Sequence, residues 1–174
     1  MTLRGLSAAL GAAMLLAGAA PALAGEPART LKPVTAASAP LLGVRDARGD
    51  VKRLEDYRGR VLVVNFWATW CEPCLSEMPA LEDLARKLQD RPFTVLAVNF
   101  AESEERVQAF LDNYEIRLPV LYDKDMGAAR RWNARILPAS FVIDAQGRVR
   151  YSVVGEADWT APEIVAAIEK LLPR

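Results

Sequence analysis

Residues 61–66, Val-Leu-Val-Val-Asn-Phe, form a nearly continuous apolar run that leads, after a short loop, into the pair Cys71 and Cys74. An alternating pattern marks a strand with one wet face. An unbroken one marks a strand buried on both faces, which needs cover above and below. Downstream, Leu75, Met78, Leu81, Leu84, Ala85 and Leu88 recur at helical spacing, and Phe93 to Phe100 is a second apolar run. Strand, helix, strand in this order is a crossover unit, so the two strands are expected to lie parallel in one sheet.

The remaining pattern fills out this unit. Ser103 is placed to cap a further helix whose inner face holds Val107, Phe110, Leu111 and Tyr114. Ser140–Ile143 and Arg148–Val154 flank Asp144-Ala145-Gln146-Gly147, a hairpin signal, and Leu41–Arg45 and Val51–Leu54 flank Asp46–Asp50 in the same way. Thr160-Ala161-Pro162-Glu163 has capping-box spacing and is expected to open a last helix that buries Ile164, Val165, Ile168 and Leu172. The expected fold is α/β, a mixed sheet with helices on both faces and an added N-terminal hairpin.

The N-terminal segment bears on compartment. Arg4 is followed by an apolar stretch from Leu6 to Ala20, and Ala22-Leu23-Ala24 has the small-x-small form of a cleavage site, so residues 1–24 read as a secretory signal. An uncleaved membrane anchor is the alternative, because the run approaches the length of a spanning helix. Residues 25–40 contain Pro27, Pro33 and Pro40 and little large apolar surface, and read as a flexible tether. Residues 41–174 then make one domain. The 22 basic and 22 acidic residues balance, which argues against nucleic-acid partners and anionic membrane surfaces.

The two cysteines are the only ones in the chain. A loop this small restrains an unfolded chain little, so a stabilising role explains the pair poorly. Structural zinc needs four ligands and the chain has no histidine, while covalent haem needs His directly after the second cysteine, where Leu75 stands. Redox catalysis, a Cu(I) carrier and an inert disulfide in a binding module remain, with redox chemistry favoured. The pair sits where a buried strand hands over to a helix. Unpaired N–H groups and positive potential at a helix start stabilise a thiolate, making Cys71 the exposed attacking sulfur and Cys74, one turn on, the more buried resolving thiol. Pro73 costs little there, since the first helical N–H groups lack partners.

The run Val63-Val64-Asn65-Phe66-Trp67-Ala68-Thr69-Trp70-Cys71-Glu72-Pro73-Cys74, with Pro79 after it and Leu137-Pro138-Ala139-Ser140-Phe141 downstream, resembles the thioredoxin superfamily. The preceding hairpin, the signal and Cys-Glu-Pro-Cys are more narrowly similar to extracytoplasmic TlpA/ResA-like thiol-disulfide oxidoreductases. The resemblance implies a thioredoxin-like fold over residues 41–174 and a periplasmic reductase of protein disulfides. It implies no metal and no cofactor beyond a redox-active Cys71–Cys74 disulfide. The substrates implied are apocytochromes c or copper-site proteins, and electrons would come from a membrane thiol transporter.

The resemblance also assigns expectations residue by residue. Pro138 matches the cis-proline that faces the cysteine pair, and Leu137 would offer its backbone to an incoming peptide. Trp70 would supply apolar docking surface beside the nucleophile, whereas Trp67 is expected in the core. Asn65 stands where thioredoxin has a buried Asp, and Glu77 is the acid that would replace it near Cys74, against the alternative of a solvated helix glutamate. Glu72 and Pro73 lie between the cysteines at the substrate surface; the Glu72 charge disfavours a thiolate. Ala139-Ser140 departs from the Thr-Thr common in the family, and Leu137 is bulkier than many residues before the cis-proline. A disulfide oxidase or isomerase is the runner-up, but such enzymes tend to carry His between their cysteines.

Overall fold

The structure is a computed structural model that describes residues 30–173. The expected signal over 1–24 and the first five residues of the expected tether lie outside the described residues. The chain runs through β1 (Lys32–Ser38), β2 (Val44–Asp46), β3 (Val51–Lys52), a 3-10 turn at Leu54–Tyr57, β4 (Val61–Trp67), α1 (Glu72–Lys87), β5 (Phe93–Phe100) and α2 (Glu104–Asn113). It continues through β6 (Val120–Asp123), α3 (Gly127–Arg131), β7 (Ala139–Ile143), β8 (Arg148–Val154) and α4 (Pro162–Glu169). One eight-stranded sheet has the order β1-β8-β7-β4-β5-β6-β2-β3. β4, β5 and β6 pair in parallel, while β7 and β8 run antiparallel to β4 and to each other.

Every residue of β4 is buried, and alternation divides the strand between two apolar layers. Val61, Val63 and Trp67 face Met78, Leu81 and Leu84 of α1, Val107 of α2 and Ile164 and Ile168 of α4. Leu62, Val64 and Phe66 face Leu42, Leu54, Ala128, Ala129 and Trp132. Asn65 shares the odd parity, so it points to the α1 side. The mixed sheet with cover on both faces is therefore as the apolar run requires. Both expected hairpins form, β2–β3 and β7–β8, and Ser103 caps α2 by accepting from the Arg106 N–H.

Three expectations are corrected. The tether over 25–40 is not a tether throughout, because β1 pairs with β8 from Lys32↔Ser152 to Ser38↔Arg148. Pro33 is compatible with an edge strand, where a missing N–H breaks no ladder, and Leu31 and Val34 each pack on one apolar layer. At α4 the cap is Ala161, not Thr160; the Thr160 hydroxyl instead donates to Asp158 Oδ1 at 2.6 Å. On α2, Val107 and Leu111 are buried, but Tyr114 is 63% exposed and stacks on Phe110 at 4.4 Å between ring centroids. β6 and α3, of four and five residues, carry no expectation from the sequence, being too short for a period to register. Among the described residues no helix is long and apolar enough to cross a membrane.

This layering predicts where truncation matters. Leu81→Ala, which empties a fully buried position on α1, is expected to cost about 3 kcal/mol. Leu41→Ala, at a position 69% exposed, should stay within about 0.5 kcal/mol. Urea denaturation midpoints at constant slope check both.

Candidate active site

Cys71 is the N-cap of α1, in extended backbone geometry, and its carbonyl accepts from the N–H groups of Cys74 at 2.9 Å and Leu75 at 3.1 Å. That first turn brings the two cysteines together, and their sulfurs are joined in a disulfide with Cα atoms 5.2 Å apart. Glu72 and Pro73 occupy the first helical positions and are exposed. The expected exposed attacking sulfur is corrected: Cys71 is only 6% exposed, against 0% for Cys74, since its side chain turns inward to its partner over the apolar layer. Of the two it is still the one nearer solvent, and it stands at the positive end of a sixteen-residue helix.

Glu77 is 2% exposed, so the alternative of a solvated helix glutamate is excluded. It lies one turn beyond Cys74 on the buried face of α1. Asn65 Nδ2 of β4 donates to Glu77 Oε1 at 2.6 Å; the Ala157 N–H at 3.0 Å and Trp159 Nε1 at 3.2 Å, both from the β8–α4 loop, donate to Oε2. Asn65 also donates to Ser140 Oγ at 2.9 Å, its register partner on β7. Burial pushes the Glu77 carboxyl up to about 7; the three donated bonds act in the opposite direction, and the nearby Glu156 adds to the rise. A carboxyl poised there can take or give a proton near neutral pH.

A second carboxylate fixes the loop before the cysteines. Glu102 accepts from the Thr69 N–H at 2.7 Å, the Thr69 hydroxyl at 2.5 Å and Asn99 Nδ2 at 2.8 Å, and pairs with Arg106 at 3.0 Å. Ala101, just before it, is held at φ 58°, a left-handed conformation unfavourable for a residue with a Cβ. The loop carrying Trp70 and Cys71 is thus tied to the end of β5.

Continuing the β4–β7 register, in which Phe66 faces Ala139, by one residue sets Trp67 opposite Pro138. The cysteine loop and Leu137–Pro138 therefore lie side by side at one end of the sheet, beyond two neighbouring interior strands. The Leu137–Pro138 peptide bond is cis, as the resemblance implies. Pro138 is buried, its carbonyl accepting from the Gly155 N–H at 2.8 Å. Leu137 is half-buried and precedes the first paired residue of β7. Trp70 is 60% exposed and Ile136 66% exposed, an apolar display at the ends of adjacent strands. Trp67 is fully buried in the core as expected.

Sequence reasoning named the cysteines, Glu77 and the cis-proline, and it noticed Asn65 only as a missing acid. It missed Ser140, Trp159 and Glu102 as site residues. Parity along β4 signals Asn65, a polar residue on the face that α1 covers, but Trp159 and Glu102 lie in loops whose approach no periodicity encodes.

The raised Glu77 carboxyl makes stability depend on pH with a definite sign. Below the usual value of 4.5 the group is protonated whether the chain is folded or not; between 4.5 and about 7 only the folded chain retains the proton. Stability therefore falls across that window, by about 3 kcal/mol from this group, and is flat above it. Relative to wild type, Glu77→Gln is expected to gain stability between pH 5 and 8 by that order; parallel stability–pH curves for the two proteins contradict this.

Comparison with known proteins agrees with this geometry. Residues 35–152 match the AhpC/TSA family. The thioredoxin-like protein YneN of Bacillus subtilis is 38% identical over 120 residues, covering 67% of this chain and 69% of that protein. The thiol-disulfide oxidoreductase ResA of Bacillus cereus is 33% identical over 135 residues, 78% and 77% of the two chains. Among solved structures, a thioredoxin-family thiol:disulfide interchange protein of Chlorobium tepidum superposes with a TM-score of 0.66 at 28% identity, over 79% of this chain and 99% of that one. A secreted thiol-disulfide isomerase of Corynebacterium glutamicum does so with a TM-score of 0.69 at 26% identity, over 76% and 83%. With a cysteine pair at a helix start, a cis-proline on the neighbouring strand and relatives of this kind, the chain belongs to the AhpC/TSA family and is a thioredoxin-like thiol-disulfide oxidoreductase.

Proposed function

We propose that the protein works outside the cytoplasm as a reductant of disulfides in extended polypeptides, with cytochrome c maturation as its setting. The observation that carries this reading is Glu77: a carboxyl buried one turn beyond Cys74 and raised to about 7 is a proton acceptor for the thiol that must ionise second. In the reduced protein the Cys71 thiolate attacks one sulfur of a substrate disulfide. A Cys71–substrate bond forms, the substrate S–S bond breaks, and the leaving sulfur departs as a thiolate that takes a proton from water. Cys74 then gives its proton to Glu77 and attacks Cys71 Sγ. The intramolecular disulfide forms, the second substrate sulfur is released, and two electrons have moved to the substrate.

Several features support the reducing direction. No histidine stands between the cysteines to stabilise the thiolate, and Glu72 there opposes the pull of the helix dipole. A strongly stabilised thiolate makes an oxidant; a weakly stabilised one makes a reductant. On the substrate side, an extended segment pairs with the backbone at Leu137 beside Pro138, and Trp70 covers its apolar part. Glu72 and Pro73 meet it between the cysteines. Oxidised Cys-x-x-Cys-His segments of apocytochromes c are the first substrate class and copper-site proteins the second, both by the ResA-like resemblance. The same resemblance supplies a membrane thiol transporter as electron donor and a periplasmic location, with residues 1–24 as cleaved signal or anchor.

Two outcomes are expected. Cys74→Ser accumulates mixed disulfides with substrate whereas Cys71→Ser does not, read on non-reducing gels; equal trapping contradicts the assignment of attacker and resolver. Reduced protein offered an oxidised haem-site peptide, an oxidised copper-site domain and a folded protein with a stable disulfide reduces the peptide fastest, and Glu77→Gln slows that reduction roughly 100-fold at neutral pH. Preference for the folded protein, or net oxidation of reduced substrates at the redox poise of the compartment, overturns the reductase reading.

A further inference from the structure

The partners of Glu77 pose a hydrogen-bonding problem. Asn65 Nδ2, the Ala157 N–H and Trp159 Nε1 are all donors, at 2.6, 3.0 and 3.2 Å. Three donors suit a carboxylate, which only accepts. A carboxylic acid has a proton to donate and, in this arrangement, nothing to receive it. The group has to pass through both states if it exchanges a proton with Cys74. A backbone N–H and an indole N–H cannot become acceptors, so of the three partners only the Asn65 amide carries an acceptor as well as a donor.

The amide has that acceptor in reserve. Asn65 is fully buried, and its Oδ1 has no hydrogen-bond partner among the described residues, while both Nδ2 hydrogens are used, on Glu77 Oε1 and on Ser140 Oγ. The two ends of an amide are nearly the same size, so half a turn about the Cβ–Cγ bond exchanges them without new volume. Oδ1 then stands 2.6 Å from Glu77 Oε1, ready to accept the acid proton, and 2.9 Å from Ser140 Oγ. Ser140 can answer either end, because a hydroxyl accepts from Nδ2 in one orientation and donates to Oδ1 in the other. One end of the amide is unpaired in both orientations, so the proton on Glu77 decides between them. The register pair Asn65↔Ser140 keeps the pivot in place on two neighbouring strands.

We infer that the side-chain amide of Asn65 reverses with the proton on Glu77, offering Nδ2 to the carboxylate and Oδ1 to the carboxylic acid, and that Asn65 is thereby the positioning residue for the buried acid. The inference rests on the reading of Glu77 as the group that exchanges a proton with Cys74. Glu156 is the other charged group that bears on Glu77, from the β8–α4 loop, and Cys74 on α1 carries no charge while bonded to Cys71. Leucine, with the same branched skeleton but a larger volume, neither donates nor accepts, and aspartate at the site sets a second acid against the first. Asparagine serves both states.

The test is NMR on the full-length oxidised protein between pH 5 and 9, following the Glu77 Cδ shift together with the nuclear Overhauser contacts from the Asn65 Nδ2 protons to the Ser140 β-protons. The expected result is a Glu77 titration near neutral pH, with Asn65–Ser140 contacts strong at pH 9 and several-fold weaker at pH 5, both changing at one midpoint. In Asn65→Leu the Glu77 midpoint moves up by about one pH unit, because the carboxylate loses a charge-assisted donor and the acid loses only a neutral acceptor. A titrating Glu77 with pH-independent Asn65 contacts, or an unmoved midpoint in Asn65→Leu, overturns the reversal and leaves proton exchange by Glu77 standing. A Glu77 that does not titrate in this range overturns both.

Discussion

Burial of β4 on both faces is the constraint from which the rest of the architecture follows, because a strand with no wet side needs two layers of cover and neighbours along both edges. β5 and β7 supply the edges. α1, α2 and α4 cover one face; Leu42, Leu54 and the α3 region cover the other. The strand then ends at Trp67 among the C-terminal ends of the parallel strands, where chain must leave the sheet and where α/β folds place their sites. A four-residue loop turns it into α1, and the cysteines fall at that turn.

The same burial sets the chemistry. Asn65 is the one polar residue of β4, and it points to the α1 face, opposite the turn that carries Cys74 and Glu77. A carboxyl placed there loses water and regains three hydrogen bonds, an exchange that leaves its proton affinity near neutral rather than in the ordinary carboxylate range. Glu102 plays a different part. Arg106 and Thr69 surround it, and its role is to hold the Thr69–Cys71 segment against β5. As proposed, Glu77 serves proton movement, whereas the half-buried Glu102 serves geometry.

Much of this was legible in the sequence, and the remainder has physical reasons for being hidden. The apolar run, the helical spacing after Cys74 and the two hairpin turns specified the central sheet, because each is long enough for its period to show. The cysteine pair and Pro138 were legible as a motif. β1 was hidden by Pro33, which disfavours a strand everywhere except at the edge it occupies. β6 and α3 were too short to carry a pattern. Thr160 looked like a cap because spacing alone does not reveal that Asp158 competes for its hydroxyl. The depth of Glu77 depended on Trp159 and Ala157, some eighty residues away in the chain, arriving over it through a loop.

In the proposed mechanism Glu77 accepts the Cys74 proton as the mixed disulfide resolves. The most direct measurement is the rate of that single step, followed by rapid mixing of a preformed Cys71–peptide mixed disulfide across pH 5 to 9. The wild-type rate is expected to rise through an inflection near 7 as Glu77 ionises, and Glu77→Gln is expected to lose that inflection while keeping the later rise that belongs to direct ionisation of the thiol. Coincident pH–rate profiles for the two proteins would show that Glu77 does not take the Cys74 proton.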